Sequence, residues 1–110
     1  MNLAAVPAPR AVLADDERLM RDQLRARLAE VWPELQIVAE AKNGLEAVQR
    51  VDEHRPDIVF LDIRMPGLTG VEAARQIAQL PARAGDEGGD DDDTLPEIVF
   101  ITAYDQYAVE

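Results

Sequence analysis

Four side chains sit where apolar runs end, and together they could handle phosphate. Asp15 and Asp16 follow AVLA at 11–14, Asp62 closes DIVFLD at 57–62, and Thr102 closes EIVFIT at 97–102. Such short apolar runs, rich in β-branched residues and bounded by polar ones, read as buried strands. If the first and third strands are neighbours, three carboxylates meet in one cleft at the strand ends. Like charges that close repel strongly unless protonated or neutralised. A hard divalent cation is the simple remedy, and a few oxygen ligands partly open to water suit magnesium, with manganese also admissible. Asp16 and Asp62 would be direct ligands, the backbone carbonyl of Arg64 a third, and Asp15 would act through water. A carboxylate beside such an ion is a nucleophile for a phosphoryl group. The Thr102 hydroxyl and the N–H groups after Asp62 would then donate to phosphoryl oxygens.

Each of these residues also has a plainer reading. Asp15 and Asp16 would serve as helix caps, Asp62 as a strand-end turn residue, and Thr102 as an ordinary β-former. Met65-Pro66-Gly67 alone is a turn. Lys42, the only lysine, reads as a surface charge, and His54, the only histidine, as an exposed residue near a helix end. The combination favours the site, because acids at two strand ends and a hydroxyl at a third fall on one edge of the sheet.

The elements that must hold these residues follow from periodicity. Residues 36–41 (QIVAEA) form a second strand. Met20, Leu24, Leu28 and Val31 recur at helical steps, and Pro33 stops that helix. Asn43-Gly44 is a turn that also caps a second helix, whose stripe is Leu45, Val48 and Val51 and which ends near His54. Val71, Ala74, Ile77 and Ala78 mark a third helix ending at Pro81, and a short fourth would start near Asp105. The order β-α-β-α-β-α-β predicts an α/β fold, a parallel sheet with helices on both faces. In such sheets ligands bind beyond the C-terminal strand ends, where the winding reverses.

Composition bounds the rest. The chain has 110 residues, no cysteine, and a net charge of −11. One domain of ordinary size fits, and a disulfide framework, a thiolate nucleophile and a multi-histidine zinc site are excluded. An acidic chain repels nucleic-acid phosphates, so no direct nucleic-acid binding is expected. No apolar run is long enough for a membrane span and no secretory signal is visible, so a cytoplasmic location is expected. Residues 1–9 are Ala- and Pro-rich and expected to be disordered. Residues 85–94 carry six acids and no base, so 82–95 is expected to be a flexible, solvated loop rather than a calcium site.

At this level of detail the chain resembles the receiver domain of two-component response regulators. The matching stretches are VLADDE (12–17), DIVFLDIRMPGLTG (57–70) and FITAYD (100–105), and the resemblance spans essentially 10–110. ITAYDQYAVE is most similar to receivers attached to LytTR DNA-binding domains, the AlgR/LytR type. The resemblance implies a flavodoxin-like, doubly wound parallel sheet. It makes Asp62 the phosphoacceptor, Asp15 and Asp16 the magnesium acids, Thr102 the switch hydroxyl, and Ala103 the small residue that leaves it room. It also implies a sensor histidine kinase as phosphodonor, transcriptional output, and a phosphoacceptor rather than an enzyme with a free substrate.

Two departures from the family pattern stand out: the missing C-terminal elements, and a loop from Leu80 to Pro96 that is longer and more acidic than the family norm. A complete receiver has five strands and five helices with a lysine at the end of the fifth strand. This chain reads as four strands, a partial receiver lacking the fifth strand and last helix, and Lys42 does not match that lysine. The fourth strand is therefore expected to be an apolar sheet edge, inviting homodimerisation or a domain swap. The alternative function is a truncated, non-switching receiver that acts only as an interaction module. A magnesium phosphatase fits less well, because that class carries a DxD pair on its first strand and here the acids are adjacent.

Overall fold

The computed structural model describes residues 8–81 and 95–101. Seven elements follow one another: β1 (Arg10–Ala14), α1 (Arg18–Val31), β2 (Gln36–Ala41), α2 (Gly44–His54), β3 (Ile58–Asp62), α3 (Gly70–Ala78) and β4 (Glu97–Ile101). Among the described residues the four strands form one sheet in the order β2-β1-β3-β4, with every pairing parallel. The winding starts at β1, moves out to β2, then returns past β1 to β3. The reversal lies between β1 and β3, so their C-terminal ends frame the crevice where such folds bind ligands.

The strands alternate, so each face of the sheet has its own core. Val12, Ala14, Val59 and Leu61 point to the side covered by α2 and α3, where Ala47, Val51, Ala73 and Ile77 close over them. Ala11, Leu13 and Phe60 point the other way, against Leu24 and Leu28 of α1. All the main elements expected from the sequence are present, and β2 has the expected bounds. The expected fourth helix and the acidic loop at 82–94 lie outside the described residues, as do residues 1–7.

The helix stripes need correction by part of a turn. Leu45, placed on the buried stripe of α2 by spacing, is 58% exposed, and Ala47 is buried instead. Val71 is likewise exposed, while Ala73 and Ile77 carry the contact of α3. On α1 only Leu24 and Leu28 pack on the sheet, while Met20 and Val31 are exposed. On α2 and α3 the contact pairs a small residue with a larger one, Ala47 with Val51 and Ala73 with Ile77, so the buried stripe falls beside Leu45 and Val71.

Three local devices set the helix starts and the strand register. The Asn43 side chain accepts from the Glu46 N–H at 2.8 Å and caps α2, as expected. Thr69 and Glu72 form a reciprocal capping box that starts α3. β2 carries a register shift against β1: Ala11 pairs with Ile37, but Val12 pairs with Ala39. This bulge re-phases the strand, so Ala41 points into the α2 core while Glu40 points to α1.

The corrected phase has a direct test. Ile77→Ala should lower unfolding free energy by about 2–5 kcal/mol, as for other buried aliphatic truncations. Leu45→Ala should change it by less than about 1 kcal/mol, as for exposed positions. Urea unfolding followed by circular dichroism reads both, and equal losses would restore the stripe expected from spacing.

Candidate functional site

Two parallel strands end side by side at the crevice. Ala14 of β1 is level with Leu61 of β3, so the next residues, Asp15 and Asp62, emerge together. Asp15, Asp16 and Asp62 each offer a carboxylate oxygen, and these oxygens lie within 4.8 Å of one another. Asp15 and Asp62 are buried, at 7% and 8% exposure, and Asp16 is exposed. The sequence expectation that these three acids converge is therefore met in space. The capping alternative for the acid pair is not: Glu17 is the N-cap of α1, without a side-chain capping bond.

The backbone around the acids is tied on every side. The Asp15 N–H donates to the Ala41 carbonyl at 3.0 Å. The Asp15 carboxylate accepts from the Glu17 N–H at 2.9 Å, and that of Asp62 from the Arg64 N–H at 3.2 Å. The Gly70 N–H donates to the Ile63 carbonyl at 2.9 Å, pulling the start of α3 against the end of β3. That approach requires glycine: a Cβ at residue 70 would lie 2.2 Å from the Asp62 carbonyl oxygen. Met65, read from sequence as part of a turn, is buried in the α2/α3 core and anchors the loop after Asp62.

Electrostatics follow from this crowding. Burial is the largest cause raising the Asp15 pKa, to about 6; the Glu17 N–H opposes it, and the Asp62, Asp16 and Glu17 charges add to it. Asp62 is raised for the same reason, first by burial, with the Arg64 N–H opposing and the Asp16 and Glu17 charges adding. The donor set is oxygen only, anionic and partly open to water. It fits a hard divalent cation of the magnesium kind.

The remaining sequence expectations are placed as follows. Arg64 is exposed immediately after the site strand. Thr102 and Ala103 lie outside the described residues, but Asp62 pairs with Ile101, so the chain reaches the edge of the crevice one residue before Thr102. Lys42 is exposed at the end of β2, and His54 is the last residue of α2, its carbonyl bonded by Arg10. Sequence reasoning missed Arg21 and Glu40. The available signal was one acid inside the apolar strand QIVAEA, opposite a helix whose arginines recur at a four-residue step.

The profile of the response regulator receiver domain matches residues 11–110, and the chain belongs to that family. It is 52% identical over 99 residues to an uncharacterized response regulatory protein of Vibrio cholerae, covering 90% of this chain and 33% of that protein. It is 36% identical over 101 residues to the transcriptional regulatory protein BtsR of Escherichia coli, covering 92% of this chain and 36% of BtsR. The chain thus spans about a third of the length of these curated relatives. Among solved structures, the signal receiver domain of a modulated diguanylate cyclase from Desulfovibrio desulfuricans aligns with TM-score 0.66 and 33% identity, over 88% of this chain and 66% of that one. The response regulator domain of Thermotoga maritima CheB aligns with TM-score 0.64 and 32% identity, over 86% of this chain and 78% of that one. These likenesses carry the flavodoxin-like receiver fold; among the described residues four strands of it are present.

The raised pKa of Asp15 predicts a pH dependence. The folded chain holds a proton there up to about pH 6, whereas an ordinary aspartate releases it near 3.8. The folded state binds more protons in that window, so stability falls as pH rises from about 4 to 6. In metal-free buffer Asp15→Asn should therefore melt higher than the unsubstituted chain at pH 7, and the two should converge below pH 4. Each kcal/mol recovered should raise the midpoint by roughly 4–8 °C. Calorimetry across pH reads this; an equal or lower midpoint at pH 7 contradicts it.

Proposed function

We propose that this chain is the phosphoacceptor part of a two-component response regulator, phosphorylated on Asp62 by a sensor histidine kinase to control transcription. The observation that carries the reading is the convergence of Asp15, Asp16 and Asp62 within 4.8 Å at the β1/β3 crevice. Asp16, Asp62 and the Arg64 carbonyl would hold a magnesium ion directly, with Asp15 acting through water. A bound divalent cation would neutralise the acid cluster and offset charge on the transferring phosphoryl oxygens.

The residues of the chain supply the rest. An Asp62 carboxylate oxygen attacks phosphorus, a P–O bond forms, and the P–N bond of the donor phosphohistidine breaks, its electron pair going to the imidazole. The Arg64 N–H, already 3.2 Å from an Asp62 oxygen, fixes the nucleophile's orientation. Asp62 is only 8% exposed, so the donor can reach its carboxylate only from the crevice. Thr102 would donate its hydroxyl to a phosphoryl oxygen, and Ala103 would leave room for that movement. The stretch ITAYDQYAVE supports a LytTR-type setting, and the relative BtsR is by name a transcriptional regulator. A cytoplasmic location belongs to the same reading. Exposed Val99 and Phe100 on β4 support contact with a second copy there, which light scattering checks: a monodisperse monomer at high concentration counts against it.

Incubation with magnesium and acetyl phosphate should add one phosphoryl group by intact mass, acetate being the leaving group. Asp62→Asn should abolish the adduct, and chelation of the metal should reduce it at least a hundredfold. An unchanged adduct in Asp62→Asn would remove Asp62 from this role. No adduct on the unsubstituted chain would favour the non-switching interaction module.

A further inference from the structure

We propose that Arg21 is a positioning residue for the acid pair, holding the Asp15–Asp16 peptide while Glu40 orients and neutralises its guanidinium. The inference rests on the metal-assisted reading above and adds a residue to it. Arg21 lies one turn into α1, with its backbone N–H bonded to the Glu17 carbonyl at 3.1 Å. Its Nη1 donates to the Asp15 carbonyl at 2.7 Å, and its Nε donates to Glu40 Oε1 at 2.8 Å. The side chain is 15% exposed, so this fork is largely shielded from water. Glu40 also receives Arg25, at 2.7 Å from its other oxygen.

The arrangement ties residue 15 to β2 at both ends of its backbone. The N–H is held by Ala41 directly, and the carbonyl by Glu40 through Arg21. The carbonyl of Asp15 belongs to the peptide that leads into Asp16. Asp16 is exposed, so its direction is set chiefly by that peptide. Glu40 reaches this place only because the β2 bulge turns it toward α1. Burial raises the pKa of Glu40, but the hydrogen bonds and charges of Arg25 and Arg21 more than offset this and hold it below the usual range, so it is ionised near neutrality.

A positioning role and a purely electrostatic role predict opposite signs. A positive charge beside a cation site weakens cation binding by repulsion, so its removal alone should tighten binding. Loss of a residue that fixes ligand direction should weaken it, by about tenfold or more. Arg25 provides the control, because it shares Glu40 but makes no bond to Asp15.

The test is titration of the 110-residue chain with Mn2+ alone, reading free ion by electron paramagnetic resonance, with melting curves for each variant. Arg21→Gln should weaken Mn2+ binding about tenfold or more, and Arg25→Gln should stay within about twofold. Arg21→Lys keeps the charge but loses the fork, and should recover only part of the affinity. If Arg21→Gln does not fold, Arg21→Lys against Arg25→Lys decides, since both keep the charge; weakening is expected only in the former, and equal affinities overturn the inference. Equal or tighter binding in Arg21→Gln overturns the inference while leaving the metal site standing. Failure of the unsubstituted chain to bind Mn2+ overturns the metal-assisted reading and this inference with it.

Discussion

The protein is organised around keeping three carboxylates together. Two of them, Asp15 and Asp62, are buried beside each other, and Asp16 stands over the same crevice. Water would keep such groups apart, so the fold must supply the convergence. It does so through parallel pairing of β1 and β3, which ends both strands at one level. The rest of the site compensates for the crowding: backbone N–H groups of Glu17 and Arg64 donate to the two buried acids, and Arg21 donates to the Asp15 carbonyl. Even the glycine at residue 70 belongs to this constraint, since it lets α3 start against the Asp62 carbonyl.

Such a site holds unfavourable charge in the free state, which a divalent cation of the kind proposed above would offset. The raised pKa values of Asp15 and Asp62 express that stored cost. It is borne by two apolar cores, one on each face of the sheet. The division of labour is common in open α/β sheets, where the strands supply stability and the loops after them supply function.

Much of this was legible in the sequence because the strands are short, apolar and bounded by acids. Their order fixed the parallel sheet, and the site acids fell at strand ends. Helix phase was less legible. Spacing favours the large residues Leu45 and Val71, whereas the buried contact falls on Ala47 and Ala73. The β2 bulge was not legible either, because alternation in QIVAEA does not show an extra residue. Without the bulge, Glu40 would be assigned to the α2 face, and its pairing with Arg21 and Arg25 would go unseen. The family motif, by contrast, carried Thr102 and Ala103, which lie outside the described residues.

The acidic stretch at 85–94 offers the competing place for a cation, and the two can be separated directly. An amide-resolved NMR spectrum of the chain, titrated with substoichiometric Mn2+, reports which groups lie near the bound ion. The amides of Asp15, Asp16, Glu17 and residues 62–64 should broaden first, with those of 85–94 unaffected until excess ion is present. Early broadening confined to 85–94, with the β1 and β3 ends unchanged, would contradict the account.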